Sequence, residues 1–433
     1  MVRRRELLPR PLLDEPSLRE FLCNHGVKLT HMGRIWKHVL AHPECPLDEV
    51  PGIPDRIRKP LREEFAVLSS TLVQKSESSV DGTIKLLVRL QDGGEVEAVL
   101  IHHTGESELP DRQQADRCGQ RDTLCISSQV GCRLGCTFCA TGTMGLQGNL
   151  WPGEILEQLL HAQRFRPVSN IVFMGMGEPL ENYEGVRSAV QGFQDHDRFG
   201  LTIGSITVST VGIIPNMRRL LDEMPKVKLA VSLHAPTQEL REEIVPAAKS
   251  FRLPDLMQVV DEYAEGTAGE ARRKGRIMIS YVMLDGVNDT DECARELCAL
   301  LAGRPVMVNL IPYNPFEGNV HGYETSPDQR VEAFKRILQQ ADVSAYQRKH
   351  HGRDIAAACG QLAKLSGAAP VEDIEGCATP ARAPTRAAAR RTRRGAPGKG
   401  SDCLWHRLGV ASVLLVAVGC TTAAVLRWQG RRR

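Results

Sequence analysis

The chain has 433 residues, with a hydrophobic fraction of 42% and a charged fraction of 25%, values that are ordinary for a globular protein with a well-formed core. The net charge is only +3, which excludes a strong whole-chain field for nucleic acid. The N-terminus lacks the apolar segment of a signal peptide, and the thirteen cysteines are irregularly spaced. These features disfavour a secreted disulfide scaffold and indicate a reducing compartment, with thiols used for metal binding or catalysis.

The amino-terminal part of the chain carries a helical pattern. Residues 1–78 place apolar residues at three-to-four spacing, which predicts a small helical accessory domain. Residues 79–121 follow as a predicted β-hairpin and a polar loop, because 83–102 alternates around the turn sequence DGG.

Residues 122–366 change to a repeating pattern of short apolar runs, each followed by an amphipathic helical segment. Six such strand–helix units occur, the first beginning with TLCISSQV and the last with VMVNLIP. Continuous apolar strands alternating with helices predict an α/β fold with a parallel sheet covered by helices. Six units, rather than eight, predict an open or partial (β/α)6 barrel, with its chemistry at the carboxyl ends of the strands.

The carboxyl-terminal region differs in composition from the rest. Residues 367–407 are rich in Ala, Pro, Arg and Gly, which predicts a disordered linker, and 379–400 hold seven basic residues and no acidic one. Residues 408–426 form an uncharged apolar stretch. A helix of that length, at ~1.5 Å per residue, approaches the ~30 Å hydrocarbon thickness. A transmembrane tail anchor and a merely apolar appendage both remain open.

The strongest local signal is the sequence CRLGCTFC, in which Cys132, Cys136 and Cys139 have the spacing C-x3-C-x2-C. Three thiolates on a short loop can bind three irons of a 4Fe–4S cluster and leave the fourth iron without a protein ligand. Zinc is the alternative, but structural zinc sites use four ligands, usually as paired C-x2-C or with histidines. A purely structural role as buried cysteines explains any one of these residues better than it explains the triplet.

This motif resembles the cluster motif of the radical S-adenosylmethionine (SAM) superfamily. Six blocks, the first of which contains this motif, closely resemble the RlmN/Cfr-type RNA methyltransferases in colinear order over roughly residues 15–366: SSQVGCRLGCTFCATGTMG, MGMGEPLENY, ITVSTVGIIP, LAVSLHAP, VNLIPYNPF and DIAAACGQLA. The resemblance implies an enzyme that methylates carbon 2 or carbon 8 of an adenosine, with a 4Fe–4S cluster and two molecules of SAM per turnover. Carbon 2 is preferred because the C2 enzymes are the widespread type.

The resemblance also implies three catalytic residues. Cys359, in AAACGQL, matches the cysteine that accepts a methyl group from the first SAM and carries it as S-methylcysteine. Cys125 matches the resolving cysteine, which forms a disulfide with Cys359 and releases the product. Glu97 matches the proposed base for the ring proton, with Glu95 as the fallback.

The predicted SAM contacts follow the ends of successive strands. By resemblance they are Gly177, Glu178, Ser209, Ser232, Leu233, His234 and Asn314. The chain departs from the family pattern STSG at Val211, which follows Ser209-Thr210. Cys118 has no role that the family implies.

RNA is the partner that the resemblance implies, either ribosomal or transfer RNA. The accessory domain offers Arg34, Lys37 and Trp36, although a solvated basic helix face is the ordinary explanation of such residues. Basic residues before the Cys359 segment could meet phosphates; they are Lys349, His350, His351 and Arg353. We further expect a monomer in the cytoplasm or an organelle, an electron donor such as a flavodoxin or ferredoxin, and possible membrane contact through the tail.

Two other classes of function are weighed. One is a radical SAM enzyme that does not methylate, against which the joint presence of Glu97, Cys125 and Cys359 argues. The other is a metal-stabilised RNA-binding or membrane-tethered scaffold without catalysis, which would hold zinc and remain colourless.

Overall fold

Three α-helices form the amino-terminal part of this computed structural model, which describes residues 5–103, 121–266, 277–349 and 351–362. Their apolar faces pack together, with Leu18, Ile35 and Leu61 fully buried. A short parallel pair of strands joins the two ends of this part. In chain order the elements are β1 (Arg10–Pro11), α1 (Glu15–Asn24), α2 (Thr30–Ala41), α3 (Asp55–Glu64) and β2 (Phe65–Ala66).

The helical region ends earlier than the sequence pattern predicts. Residues 71–78 fall within the predicted helical range, but Thr71–Glu77 is a strand, β3, which pairs antiparallel with β4 (Ile84–Arg89). The predicted hairpin is therefore a three-stranded unit of β3, β4 and β5 (Glu95–His103). The apolar residues Leu72 and Val73 fit the pattern of a helix as well as that of a strand. The hydrogen bonds with β4 determine that this segment is a strand.

The first predicted strand of the core, TLCISSQV, is divided in two. Strand β6 (Arg121–Cys125) pairs with β5 in the main sheet and ends at Cys125. The chain then forms a separate antiparallel hairpin of β7 (Gln129–Cys132) and β8 (Gly145–Asn149), which enclose the loop of the cysteine triplet.

Seven parallel strands follow one another across the main sheet in chain order, beginning with β6. The other six are β9 (Asn170–Phe173), β10 (Ile206–Thr210), β11 (Lys228–Ser232), β12 (Ile277–Met283), β13 (Val306–Pro312) and β14 (Ala345–Gln347). The sheet runs from β14 at one edge to β3 at the other, so it is an open partial barrel. The predicted α/β fold with six strand–helix units is confirmed, and β14 adds a seventh parallel strand.

Helices cover the parallel strands and bury their apolar side chains. In chain order they are α4 (Ala140–Thr143), α5 (Pro152–Gln163), α6 (Tyr183–Gln194), α7 (Ile214–Glu223), α8 (Gln238–Ile244), α9 (Leu253–Gly266), α10 (Asp291–Leu301) and α11 (Asp328–Gln340). Val208, Val231 and Ile279, from three adjacent strands, have no exposed surface. Burial on both faces explains why these strands are apolar throughout.

Within the described ranges, no helix has the length and apolar character needed to cross a bilayer. The described residues belong to the compact unit Met1–Ile374. The predicted linker at 367–407, the apolar stretch at 408–426 and Cys118 lie outside the described residues.

Candidate active site

The cysteine triplet lies on the loop between β7 and α4. Cys132 is the last residue of β7, Cys136 lies in the turn, and Cys139 directly precedes α4. Gly135 has φ +65°, a left-handed conformation that suits glycine, and it allows the chain to turn between the first two cysteines. All three are half-buried free thiols.

The loop is fixed by contacts with two other parts of the sheet. The backbone N–H of Thr137 donates to the carbonyl of Ile244 at 3.1 Å, at the end of α8. The Thr137 hydroxyl lies 3.1 Å from the hydroxyl of Tyr323, in the connection that follows β13. The triplet is therefore positioned against the carboxyl-end connections of β11 and β13.

The three thiols are close enough to repel one another as thiolates, so a cluster that binds all three would relieve that repulsion. Burial raises the pKa of Cys132 to about 12 and that of Cys136 well above its usual range. Burial also raises the pKa of Cys139, while the backbone N–H groups of Gly142 and Thr141 oppose the rise. Amides directed at sulfur stabilise the thiolates that a cluster requires. In the described ranges, no group of three or more His, Cys, Asp or Glu side chains is arranged to hold a single metal ion.

Gly177 and Glu178 lie just beyond β9. Gly177 has φ +96°, and a Cβ there would lie 2.5 Å from the Cβ of Gln129, so a larger residue would displace its neighbour. The Glu178 carboxylate is buried and accepts hydrogen bonds from the backbone N–H groups of Leu180 at 2.9 Å and Val211 at 3.0 Å. Burial raises the pKa of Glu178 to about 7, and these two donors oppose the rise.

The departure from the family pattern at Val211 is explained by these contacts. Its N–H binds Glu178 and its carbonyl accepts from Arg241 at 2.5 Å, so the contacts come from the backbone. Any residue type offers the same two groups at this position, and the change from serine leaves them intact.

Ser209, Ser232 and His234 follow the same edge at the ends of β10 and β11. The hydroxyl oxygens of Ser209 and Ser232 are 3.4 Å apart. The Nδ1 atom of His234 accepts a hydrogen bond from the backbone N–H of Val282 at 3.0 Å, and its ring meets Phe138 edge-on at 4.7 Å. Burial lowers the pKa of His234 to about 3, so the ring is neutral and carries its proton on Nε2.

A buried guanidinium connects these strand ends. Arg241, on α8, has no exposed surface and donates to the carbonyls of Val211, Ser232 and Leu233 at 2.5–3.4 Å. Burial lowers the pKa of Arg241 to about 10, while the Cys136 sulfur opposes that shift. Arg241 therefore places a positive charge near the triplet and fixes the backbone of two predicted SAM contacts.

A cavity brings two further cysteines together at the same edge of the sheet. Cys125, at the end of β6, and Cys359 both line it. The remaining polar lining comes from Asn314, Arg348, Lys349 and His351, and the apolar lining includes Val99, Ile101, Met174 and Ile311.

Hydrogen bonds hold residues 351–362, which carry Cys359, across this edge of the sheet. The donor and acceptor pairs are the Gly352 N–H and Asp81 carboxylate at 2.8 Å, the Lys85 ammonium and Ala356 carbonyl at 3.3 Å, the Ala140 N–H and Gly360 carbonyl at 2.8 Å, and the Asn314 amide and Cys359 carbonyl at 3.5 Å. The segment is thus attached to the β3–β5 unit, to the triplet loop and to the predicted SAM contact Asn314.

Both cysteines of this cavity are free thiols. The disulfide that the resemblance implies between Cys125 and Cys359 is therefore absent from the structure. The Nη1 atom of Arg348 donates to the Cys359 sulfur at 3.1 Å. Burial and the nearby Cys359 raise the pKa of Cys125 to about 12, while Arg348 acts in the opposite direction.

Glu97 lies on β5, on the strand face that also carries Val99 and Ile101 of the cavity lining. Glu97 is 3% exposed, and its carboxylate pairs with the Lys85 ammonium at 3.2 Å. Since Lys85 also donates to Ala356, one lysine connects Glu97 to the Cys359 segment. Glu95, the fallback base, instead pairs with Arg89 at 2.9 Å.

The predicted RNA-contacting residues are only partly accessible. Trp36 is 2% exposed, donates from Nε1 to the carbonyl of Leu12 and packs under Arg198, so its ring is not available to contact RNA. Arg34 and Lys37 are exposed on α2, and Lys37 pairs with Asp197. Of the other basic residues, Lys349 and Arg353 are exposed, His351 is half-buried, and His350 lies outside the described residues.

Sequence reasoning did not identify Arg241, Arg348 or Lys85. Each acts through contacts with residues far away in the chain, and basic residues are common at helix and strand ends. The sequence HAPTQELREEI contains a weak signal for Arg241, because an arginine on the buried face of a short helix requires polar partners.

Comparison with known proteins agrees with this geometry. Residues 126–298 match the model of the radical SAM superfamily. The chain is 40% identical over 355 residues to a protein of Rhodopirellula baltica named as a probable dual-specificity RNA methyltransferase RlmN, covering 81% of this chain and 89% of that relative. It is 39% identical to the dual-specificity RNA methyltransferase RlmN 1 of Myxococcus xanthus, covering 81% of this chain and 92% of that relative.

A solved structure shares the architecture. The crystal structure of a radical SAM methyltransferase from Sphaerobacter thermophilus aligns with a TM-score of 0.71 at 36% identity, covering 82% of this chain and 99% of that protein.

Proposed function

Because the chain belongs to the RlmN family of dual-specificity RNA methyltransferases within the radical SAM superfamily, we propose that it methylates carbon 2 of an adenosine in ribosomal RNA, transfer RNA or both. That carbon is neither acidic nor nucleophilic, so direct transfer of an electrophilic methyl group from SAM should fail there. The reaction requires a radical that the cofactor supplies and a cysteine that carries the methyl group.

The cysteine triplet is the proposed cluster site. Cys132, Cys136 and Cys139 would hold three irons of a 4Fe–4S cluster, and the fourth would be free for SAM. Bound there, the cluster and SAM would supply one-electron cleavage of SAM and a carbon-centred radical. The chain's own residues position the thiols through the hydrogen bond between Thr137 and Ile244.

The proposed SAM site extends along the strand ends from β9 to β13. The buried carboxylate of Glu178 would meet the amino group of SAM, and Gly177 allows close approach because it has no side chain. Hydroxyl, imidazole and amide groups would complete the site; they belong to Ser209, Ser232, His234 and Asn314.

Cys359 is the proposed methyl carrier, and its position in the cavity carries this proposal. It would accept a methyl group from one SAM, lose a hydrogen atom from that methyl to the radical from a second SAM, and add the resulting methylene to the ring. The ring adduct would then pass its unpaired electron to the redox centre held by the triplet and its ring proton to Glu97. Cys125 would attack the sulfur of Cys359 as a thiolate, forming a transient S–S bond as the S–CH2 bond breaks, and the released carbon would take a proton from solvent to become the methyl group. Cys125 and Cys359 line one cavity, and Glu97 lies on the strand face that contributes to its wall.

RNA would reach this cavity from its open side. The exposed side chain of Lys349 lies at the cavity lining and offers positive charge to phosphates, and the half-buried His351 lies at the same lining. The accessory helices would add contacts through the exposed Arg34 and Lys37 of α2. A flavodoxin- or ferredoxin-type donor would deliver the electrons, and the compartment of the RNA would be the cytoplasm or an organelle.

Deuterium labelling tests this mechanism. The anaerobically reconstituted enzyme is supplied with RNA, a reductant and SAM whose methyl group is CD3. The RNA is then digested, and the masses of its nucleosides are measured by mass spectrometry. We expect a methyl group with two deuterium atoms, and the third deuterium in 5′-deoxyadenosine, because one hydrogen must leave the carried methyl. Transfer of an intact CD3 group would contradict the carrier mechanism, and SAM cleavage without RNA methylation would indicate a non-methylating radical enzyme.

A further inference from the structure

The guanidinium of Arg348 makes a direct contact with a predicted reacting atom. Arg348 follows β14, and its backbone N–H donates to the carbonyl of Leu310 on β13 at 2.8 Å, which fixes its position beside the sheet edge. From there its Nη1 atom donates to the sulfur of Cys359 at 3.1 Å. A hydrogen bond from a permanent cation to sulfur is stronger when the sulfur is a thiolate than when it is a thiol.

The charges around Arg348 make this sulfur its principal partner. Among the residues that the structure describes, no carboxylate lies within ion-pair distance of Arg348, although many other arginines here have such a partner. The thiol of Cys359, more than any other group, raises the pKa of Arg348, against the effect of burial; Cys125 and Tyr346 add smaller contributions. The positive charge of Arg348 is therefore available to a negative sulfur.

We propose that Arg348 is a catalytic residue that holds Cys359 as a thiolate and so makes it the methyl acceptor. The inference rests on the proposed role of Cys359 as methyl carrier. A thiolate is the nucleophilic form of cysteine, and a buried sulfur needs a nearby cation to persist in that form. Arg348 supplies a charge that is retained at every physiological pH.

The methyl transfer balances with this assignment. The Cys359 thiol releases its proton to water, and its sulfur lone pair forms the new S–CH3 bond. The bond between the methyl carbon and the sulfonium sulfur of SAM breaks, and its electron pair remains on S-adenosylhomocysteine. Arg348 keeps its proton throughout, since it stabilises the anion and transfers nothing.

Methylation then changes the partner of Arg348. A thioether is a weak acceptor and carries no charge, so the guanidinium loses its anionic partner when Cys359 is methylated. Cys125 is the other thiol of the same cavity, and Arg348 already lowers its pKa against the effect of burial. The same arginine therefore favours the thiolate of Cys359 before methylation and that of Cys125 afterwards.

Alkylation kinetics test the proposal without RNA or SAM. The full-length chain, purified anaerobically, is treated with iodoacetamide between about pH 6 and pH 9, and modification of each cysteine is followed by peptide mass spectrometry. Wild type is compared with Arg348→Gln and Arg348→Lys. Cys23, exposed on α1, is the internal reference. Lys349, His351, Cys125 and Cys139 also face the Cys359 region and are identical in every variant.

We expect Arg348→Gln to slow alkylation of Cys359 about tenfold near neutral pH and to move the rise in rate to higher pH, because the variant lacks the cation that donates to this sulfur. At high pH the rates should converge, Arg348→Lys should restore part of the effect, and Cys23 should not change. An alkylation profile of Cys359 that is unchanged in the variant would overturn the proposal. An equal loss of rate at every pH would also overturn it, because such a loss indicates altered access to the sulfur. This readout needs no methyl transfer, so its failure is distinguishable from a failure of the proposed function.

Discussion

Replacing Cys359 with alanine is expected to abolish RNA methylation, with a loss of roughly 10³-fold or more. Without the sulfur there is no acceptor for the first methyl group, and adenosine C2 has no other route to a methyl from SAM. Cys359 is half-buried, and its neighbours are held by backbone hydrogen bonds that alanine preserves, so the fold should persist. The measurement is incorporation of labelled methyl into RNA under anaerobic turnover.

The control for this variant is Cys298→Ala. Cys298 is also half-buried, but it lies on α10 and donates to the carbonyl of Ile337 on α11, away from the cavity. We expect it to retain nearly full activity. Equal activity of Cys359→Ala and wild type would eliminate the methyl-carrier role.

Replacing Cys136 with alanine is expected to remove the iron–sulfur cluster and, with it, reductive cleavage of SAM. The triplet provides only three thiolates, so losing one leaves a cluster with two protein ligands, which should not survive purification. Iron and sulfide content, together with the brown absorbance of the reconstituted protein, measures this directly. We expect both to fall to background.

The matched control is Cys293→Ala, which removes a thiol from the start of α10, away from the triplet loop, and should leave the iron content unchanged. A Cys136→Ala variant that keeps its full iron content and colour would show that the triplet does not hold the cluster. A colourless wild-type protein that binds one zinc would favour a scaffold role.

The features that could be predicted from the sequence are those that depend on residues close together in the chain. Alternation of apolar strands and amphipathic helices indicates the partial barrel, and C-x3-C-x2-C places three thiols on one loop whatever the surrounding fold. Glycine at 177 also has a local cause, since its left-handed backbone and the adjacent Gln129 exclude a larger side chain.

Other features depend on contacts between distant segments, which a single sequence does not encode locally. Residues 71–77 have apolar positions compatible with both a helix and a strand, and pairing with β4 determines the outcome. Trp36 lies between the basic residues Arg34 and Lys37 in the sequence, yet Arg198, far along the chain, covers its ring. The role of Arg348 becomes visible only when β14 is placed beside the Cys359 segment.

The central claim is that this chain methylates adenosine at carbon 2. The most direct measurement is mass spectrometry of nucleosides, against authentic standards, from unmethylated ribosomal and transfer RNA incubated with the reconstituted enzyme. We expect 2-methyladenosine in at least one of the two RNA classes, and none with Cys359→Ala. Finding 8-methyladenosine instead, or no methyladenosine in either class from enzyme that cleaves SAM, would contradict the claim.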